Sequence, residues 1–194
     1  MTMNIKAYIT TELFDRDGKL IFRWRRRSKS FVQALLAILY SHVRQADNTV
    51  SYKDIGGTLR LIRNSGSSFA LNAGDNDSSY GLVVGTGSGA VAVTDYVLQT
   101  QIVHGTGSGQ LDHGADSFGS LTISDPNASF TIYRDFLNSS GATITVNEEG
   151  LYAGANDTGA VTRFFCIVRD VEAAGIAVAD GQNLRVTYTI QTST

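Results

Sequence analysis

Several residue groups in the 194-residue chain have the types and spacing that chemistry uses. His104, Asp112 and His113 flank a glycine loop and, with Asp116, offer the imidazole and carboxylate donors that hold a metal. The segment has no ordered frame that its sequence establishes, so these read as solvated loop histidines. Asp75-Asn-Asp77-Ser-Ser79 opens like a calcium loop, with oxygen ligands at alternate positions. Tyr80 stands where that loop needs glycine and Thr86 where it needs glutamate, which leaves an acidic turn. Gly85-Thr-Gly87-Ser-Gly89 follows a predicted strand, and the same five residues recur at Gly105, Gly107 and Gly109 with their neighbours. A phosphate cradle needs a helix immediately after such a loop, and Ala90-Val-Ala-Val-Thr-Asp leads into another strand. Both copies are read as exposed, equivalent loops at one sheet edge.

Catalytic patterns fail in the same way. Glu148 and Glu149 are adjacent, so on a strand they point to opposite faces and cannot share acid and base roles. No Gly-x-Ser-x-Gly elbow sits at a strand-to-helix junction. Cys166, the single cysteine, lies in the apolar run between Arg163 and Arg169 and reads as inert strand core. The expectation is a protein that is not an enzyme, with no catalytic residues, cofactor or metal.

Binding chemistry is denser in Arg23-Trp-Arg25-Arg26-Arg27-Ser-Lys29. Its arginines suit phosphates or an acidic protein surface. Strand alternation turns Trp24 toward the apolar side, away from a base-stacking role, so nucleic acid is the lesser reading. Arg23, Arg25, Arg26, Arg27 and Lys29 are therefore candidate residues for docking on a partner. Residues 1–63 hold 12 Lys and Arg against 5 Asp and Glu, and residues 64–194 hold 4 against 13. That division of +7 and −9 suggests two surfaces with different neighbours.

The elements that position these groups follow from hydrophobic period. Ile5, Ala7, Ile9, Thr11 and Leu13 alternate with polar residues, Asp17-Gly18 supplies a two-residue turn, and Lys19 to Arg27 returns. That register sets Leu13 opposite Phe22, Thr11 opposite Trp24 and Glu12 opposite Arg23. Ser30 and Gln33 form a capping box before a helix from about Phe31 to Arg44. Short alternating strands follow at Leu59 to Arg63, Tyr80 to Val84, Tyr96 to Val103, Ser129 to Leu137, Ala142 to Val146, Arg163 to Val171 and Leu184 to Thr192. Twenty glycines and one proline agree with many tight turns. The expected fold is mainly β: an antiparallel β-sandwich or jelly-roll-like domain preceded by a β-hairpin and one α-helix. A basic hairpin-helix module over 1–57 and an acidic β domain over 58–194 are the expected divisions. The amino terminus lacks the apolar core of a signal peptide, and the longest apolar run, Ala34 to Tyr40, is far below the roughly 20 residues of a membrane span.

The stretches Gly81-Leu-Val-Val-Gly-Thr-Gly87, Ala92-Val-Thr-Asp-Tyr-Val-Leu98 with Ile102-Val-His-Gly-Thr-Gly107, and Phe130 to Asn147 leading to Gly150-Leu-Tyr152 carry a resemblance, as do Ile167-Val-Arg-Asp170, Gly181 to Ile190, and Ser28-Lys-Ser-Phe-Val32. In these the chain resembles small structural proteins of tailed bacteriophages. The resemblance implies a virion component, assembled in the host cytoplasm. The leading expectation is a capsid decoration or cement protein, a homotrimer or other homo-oligomer whose partner is the major capsid protein or another virion protein, with no membrane. A tail, neck or fibre-attachment protein is the alternative, as is a host-surface or carbohydrate-binding module that uses the loops 85–89, 105–109 and 152–159, its binding lost on mutating Tyr152 or Asp157.

Overall fold

The computed structural model describes residues 4–28, 30–44, 46–48, 50–64 and 69–193. In chain order they form β1 (Asn4–Phe14), β2 (Leu20–Ser28), α1 (Gln33–Arg44), β3 (Tyr52–Lys53), β4 (Leu59–Arg60), β5 (Gly81–Gly85), β6 (Asp112–His113), β7 (Ser117–Phe118), β8 (Thr122–Ser124), β9 (Asn127–Leu137), β10 (Ile144–Asn156), β11 (Thr162–Val178) and β12 (Asn183–Ser193). The larger sheet runs β2-β1-β12-β9, with β6, β7 and β8 in succession along the far side of β9. The smaller sheet runs β11-β10-β5, and β3 pairs with β4 apart from both. Every pairing between these strands is antiparallel, and one helix accompanies them among the described residues, as expected of a mainly β chain.

The two larger sheets face each other because each has an apolar face at period two. Ala7, Ile9 and Leu13 of β1, Leu184, Val186 and Tyr188 of β12, and Ile132 and Phe136 of β9 are buried against Leu82 and Val84 of β5, Leu151 and Ala153 of β10, and Phe165 of β11. The reverse face of the smaller sheet is covered too, by a second cluster of Val32, Val83, Leu98, Tyr152 and Cys166. Helix α1 packs on β11 with Ala34, Ala37 and Ile38 buried, while Leu36, Leu39 and Tyr40 stay exposed. No helix among the described residues is long and apolar enough to cross a membrane.

The hairpin has the anticipated register, with Leu13 opposite Phe22, Thr11 opposite Trp24 and Glu12 opposite Arg23. Its turn is larger than two residues. Asp15 Oδ1 accepts the amides of Asp17 and Lys19, and Gly18, at φ 76°, closes the loop onto the Asp15 carbonyl. A bulge at Phe14 absorbs the extra length. The helix starts two residues late because Phe31 bridges Val168 and Ser30 accepts the Arg169 amide, so this stretch edges β11 instead of capping a helix. β1 lies in the interior of its sheet and pairs along its length with β12, so residues on both sides of the 57/58 division share one sheet and one core. The expected strand from Tyr96 to Val103 is absent: the amides of Leu98, Gln99 and Thr100 turn to the Tyr152 hydroxyl and the Glu148 carboxylate instead of a ladder.

Candidate docking surface

The charged cluster on β2 is split by strand alternation into two populations. Arg23, Arg25 and Arg27 stand opposite Glu12, Thr10 and Tyr8 on the outer, solvent face of the larger sheet. Arg23 pairs with Glu12 at 2.8 Å, and the Arg25 guanidinium lies 4.6 Å from the centre of the Tyr8 ring. Arg27 has no ion-pair partner among the described residues and is exposed. Beyond them on the same face, Arg185 pairs with Asp135 at 2.7 Å and lies over Tyr133. The result is a flat face of arginines interleaved with tyrosine and threonine. Lys29 lies outside the described residues.

Arg26 belongs to the other face and is not available to a partner. Its guanidinium donates to Glu149 Oε1, to Asp170 Oδ1 at 3.4 Å and to Glu172 Oε2 at 3.0 Å, and Asp170 also accepts from Ser28 Oγ and Tyr188 Oη. Arg16 with Asp180, and Arg60 with Asp157, likewise join the basic third to the acidic remainder. Part of the charge division along the sequence is thus spent inside the fold, and of the β2 cluster only the arginines of the outer face stay on the surface.

One guanidinium among three carboxylates sets up a titration. Burial pushes Glu149 up to about 8, against the pull of Arg26 and with reinforcement from Asp170 and Glu172. Burial also raises Asp116 to about 7 and lowers His113 to about 3, the latter helped by Arg134. The two carboxyls hold protons in the fold that the unfolded chain has released, so their stabilisation is full below the ordinary carboxylate range and is lost as pH rises through 7 and 8. His113 acts in the opposite sense, below its ordinary 6.5. Between pH 6.5 and 8 only the carboxyls of this set act, so the melting temperature is expected to fall across that window. Calorimetry on Glu149→Gln should show a smaller fall; an equal fall would remove Glu149 as the cause.

The remaining candidate groups are structural. The first glycine loop is not exposed as expected: Gly85 and Gly87 are buried, and Gly87 donates to Glu148 Oε1 at 3.1 Å. A Cβ at Gly87 would collide with that carboxylate and with Gln99, so close approach fixes the glycine there. Gly89 is half-buried and donates to Gln99. In the second loop Gly107 and Gly109 are exposed, Gly105 is half-buried, and Gln110 closes the turn on the Gly107 amide. The two loops are not equivalent, because only the first is anchored on a buried acid. Glu148 and Glu149 do face opposite ways, and each meets its own arginine: Glu148 accepts from Arg169 Nε at 2.8 Å, and Arg169 reaches Asp95 at 2.9 Å.

His104 lies 3.3 Å from Asp112, while His113 is fully buried and packs edge-on against Phe136. Among the described residues no three His, Cys, Asp or Glu converge as metal ligands. The calcium-like turn encloses a cation of the protein's own. Arg134 is fully buried and donates to the carbonyls of Gly74, Asp77, Tyr80, Leu82 and Gly114. Sequence alternation carries the signal that finds it, since Arg134 falls in phase with Ile132 and Phe136. Cys166 is buried, as expected of core. Tyr152 is buried with its hydroxyl on the Leu98 amide, and Asp157 holds the turn before β11 through Val161 and Arg163, so neither is free to bind a saccharide. A cleft of about 630 Å³ does open beside the first loop, between Lys53, Asp95, Tyr96 and Gln99. Comparison of the chain with protein families, curated proteins and solved structures finds no match.

Proposed function

We propose that this chain is a non-catalytic structural component of a tailed-phage virion, a capsid decoration or cement protein that docks on an acidic partner surface. The observation that carries the docking is the outer face of β2, where Arg23, Arg25 and Arg27 project together from an edge strand with one carboxylate, Glu12, bound among them. Guanidinium groups arranged on a rigid strand lose little freedom when they meet carboxylates, and complementary charge steers the encounter. The phage assignment is supported by the resemblance in the turn and strand motifs from Gly81 to Ile190.

A tail or neck protein would use the same face at few copies per particle. A saccharide-binding role would use the cleft beside Lys53 and Tyr96, where hydroxyl and amide groups line an open wall. Truncating the first 45 residues is not a usable test, because it removes an interior strand of the larger sheet. The triple substitution Arg23→Glu, Arg25→Glu, Arg27→Glu leaves the core untouched. Incorporation of the purified variant into particles lacking the chain is expected to fall at least about tenfold, with circular dichroism unchanged. Undiminished incorporation would sink the docking assignment.

A further inference from the structure

The two edges of the larger sheet are both open and both apolar. No strand among the described residues pairs with the outer side of β2, or with the outer side of β7 and β8. On β2, Leu20, Ile21, Phe22 and Trp24 are exposed, Trp24 by 50%. On the opposite edge Phe118, Leu121 and Ile123 are exposed, Ile123 by 78%. Open apolar edges are what soluble β proteins normally blunt or cover.

The exposed side chains also share a face. Phe22 and Trp24 stand opposite Leu13 and Thr11, which are buried in the sandwich, and Phe118 stands opposite the buried Ile132. Ile123 stands opposite Ala128, in phase with Ile132. Both edges therefore overhang the smaller sheet with apolar groups on the inner side.

Charge decides which edges meet. Two copies of β2 side by side would bring the surface arginines Arg23, Arg25 and Arg27 against their equivalents, and like charges across a strand pair repel. The stretch from Ala115 to Asn127 contains no lysine or arginine and carries the exposed Asp125. We infer that β2 of one copy adds to the β7-β8 edge of the next, joining copies of this chain head to tail. Because β2, β7 and β8 run in the same direction in the sheet, the junction is a parallel strand pair. This deepens the structural reading above, and its test is made on the isolated chain with the β2 arginines intact, so its failure and the failure of shell docking are told apart.

Sedimentation of the isolated full chain provides the test, with Trp24, the single tryptophan, as a fluorescence reporter of edge burial. The wild-type chain is expected to form an oligomer of more than two copies, with Trp24 emission shifted to the blue relative to the monomer. Phe22→Lys blocks one edge and Ile123→Lys the other. Each variant alone is expected to be monomeric, and an equimolar mixture to form a heterodimer, because each copy keeps the edge that the other lacks. Circular dichroism confirms folding, and Ile21→Lys replaces Phe22→Lys if that variant does not fold. A wild-type chain that stays monomeric overturns the inference. So does an Ile123→Lys variant that self-associates like wild type, which would mean that two β2 strands pair with each other.

Discussion

Replacement of Arg134 by leucine is expected to cost about 5 kcal/mol or more, because buried polar groups left without partners cost about 1–3 kcal/mol each. Five carbonyls from two separate stretches, 74–82, which runs into β5, and Gly114, converge on this guanidinium from positions that β9 alone does not reach. Leucine keeps the apolar stem and removes every donor. Lysine is no substitute, since three donors on one nitrogen cannot serve carbonyls arrayed around a planar fork. A loss of that size approaches the whole stability of an ordinary domain. Chemical denaturation should show Arg134→Leu unfolded or melting in the first part of the curve; wild-type behaviour would show that the cage is dispensable.

The second large effect is expected at Arg169. Its side chain is 4% exposed, and it donates to Glu148, Asp95 and the carbonyls of Ala90 and Gly89. Arg169→Met leaves Glu148 as an uncompensated charge with no exposure, and breaking a buried pair by one partner costs about 3–5 kcal/mol. In a chain of this size that corresponds to a fall in melting temperature of about 6–20 °C. The loss should be uneven: Glu148 also accepts the amides of Gly87, Gln99 and Thr100, so hydrogen exchange is expected to rise first in the 86–100 segment. Exchange that rises evenly across both sheets would contradict the view that this ion group pins one loop.

Both sites show where sequence reasoning reaches and where it stops. Period two placed the hairpin, the inward faces of β1 and β12, and the register of Glu12 with Arg23, because these depend on contacts between near neighbours in the chain. The same period put Glu148 and Glu149 on opposite faces. It did not show that each would be buried against an arginine, Arg169 and Arg26, that lies 21 and 123 residues away. Long-range pairing of this kind depends on how sheets stack, which a single sequence does not encode locally. The same pairings explain two corrections: the Tyr96 to Val103 strand yields its amides to Glu148, and Gly85 and Gly87 are buried by the acid they approach. They also reduce the docking candidates, since Arg26 is occupied inside the molecule while Arg23, Arg25 and Arg27 remain on the surface.

The proposed role sets the arginine face of β2 against a phage shell. Copy number and position in a density map of the particle encoded with it test that most directly. A decoration protein should be present in many copies matched to the symmetry of the shell, with Arg23, Arg25 and Arg27 against carboxylates of the underlying capsid protein. A few copies confined to the neck or tail, or a shell contact made by another face with β2 in solvent, would contradict it.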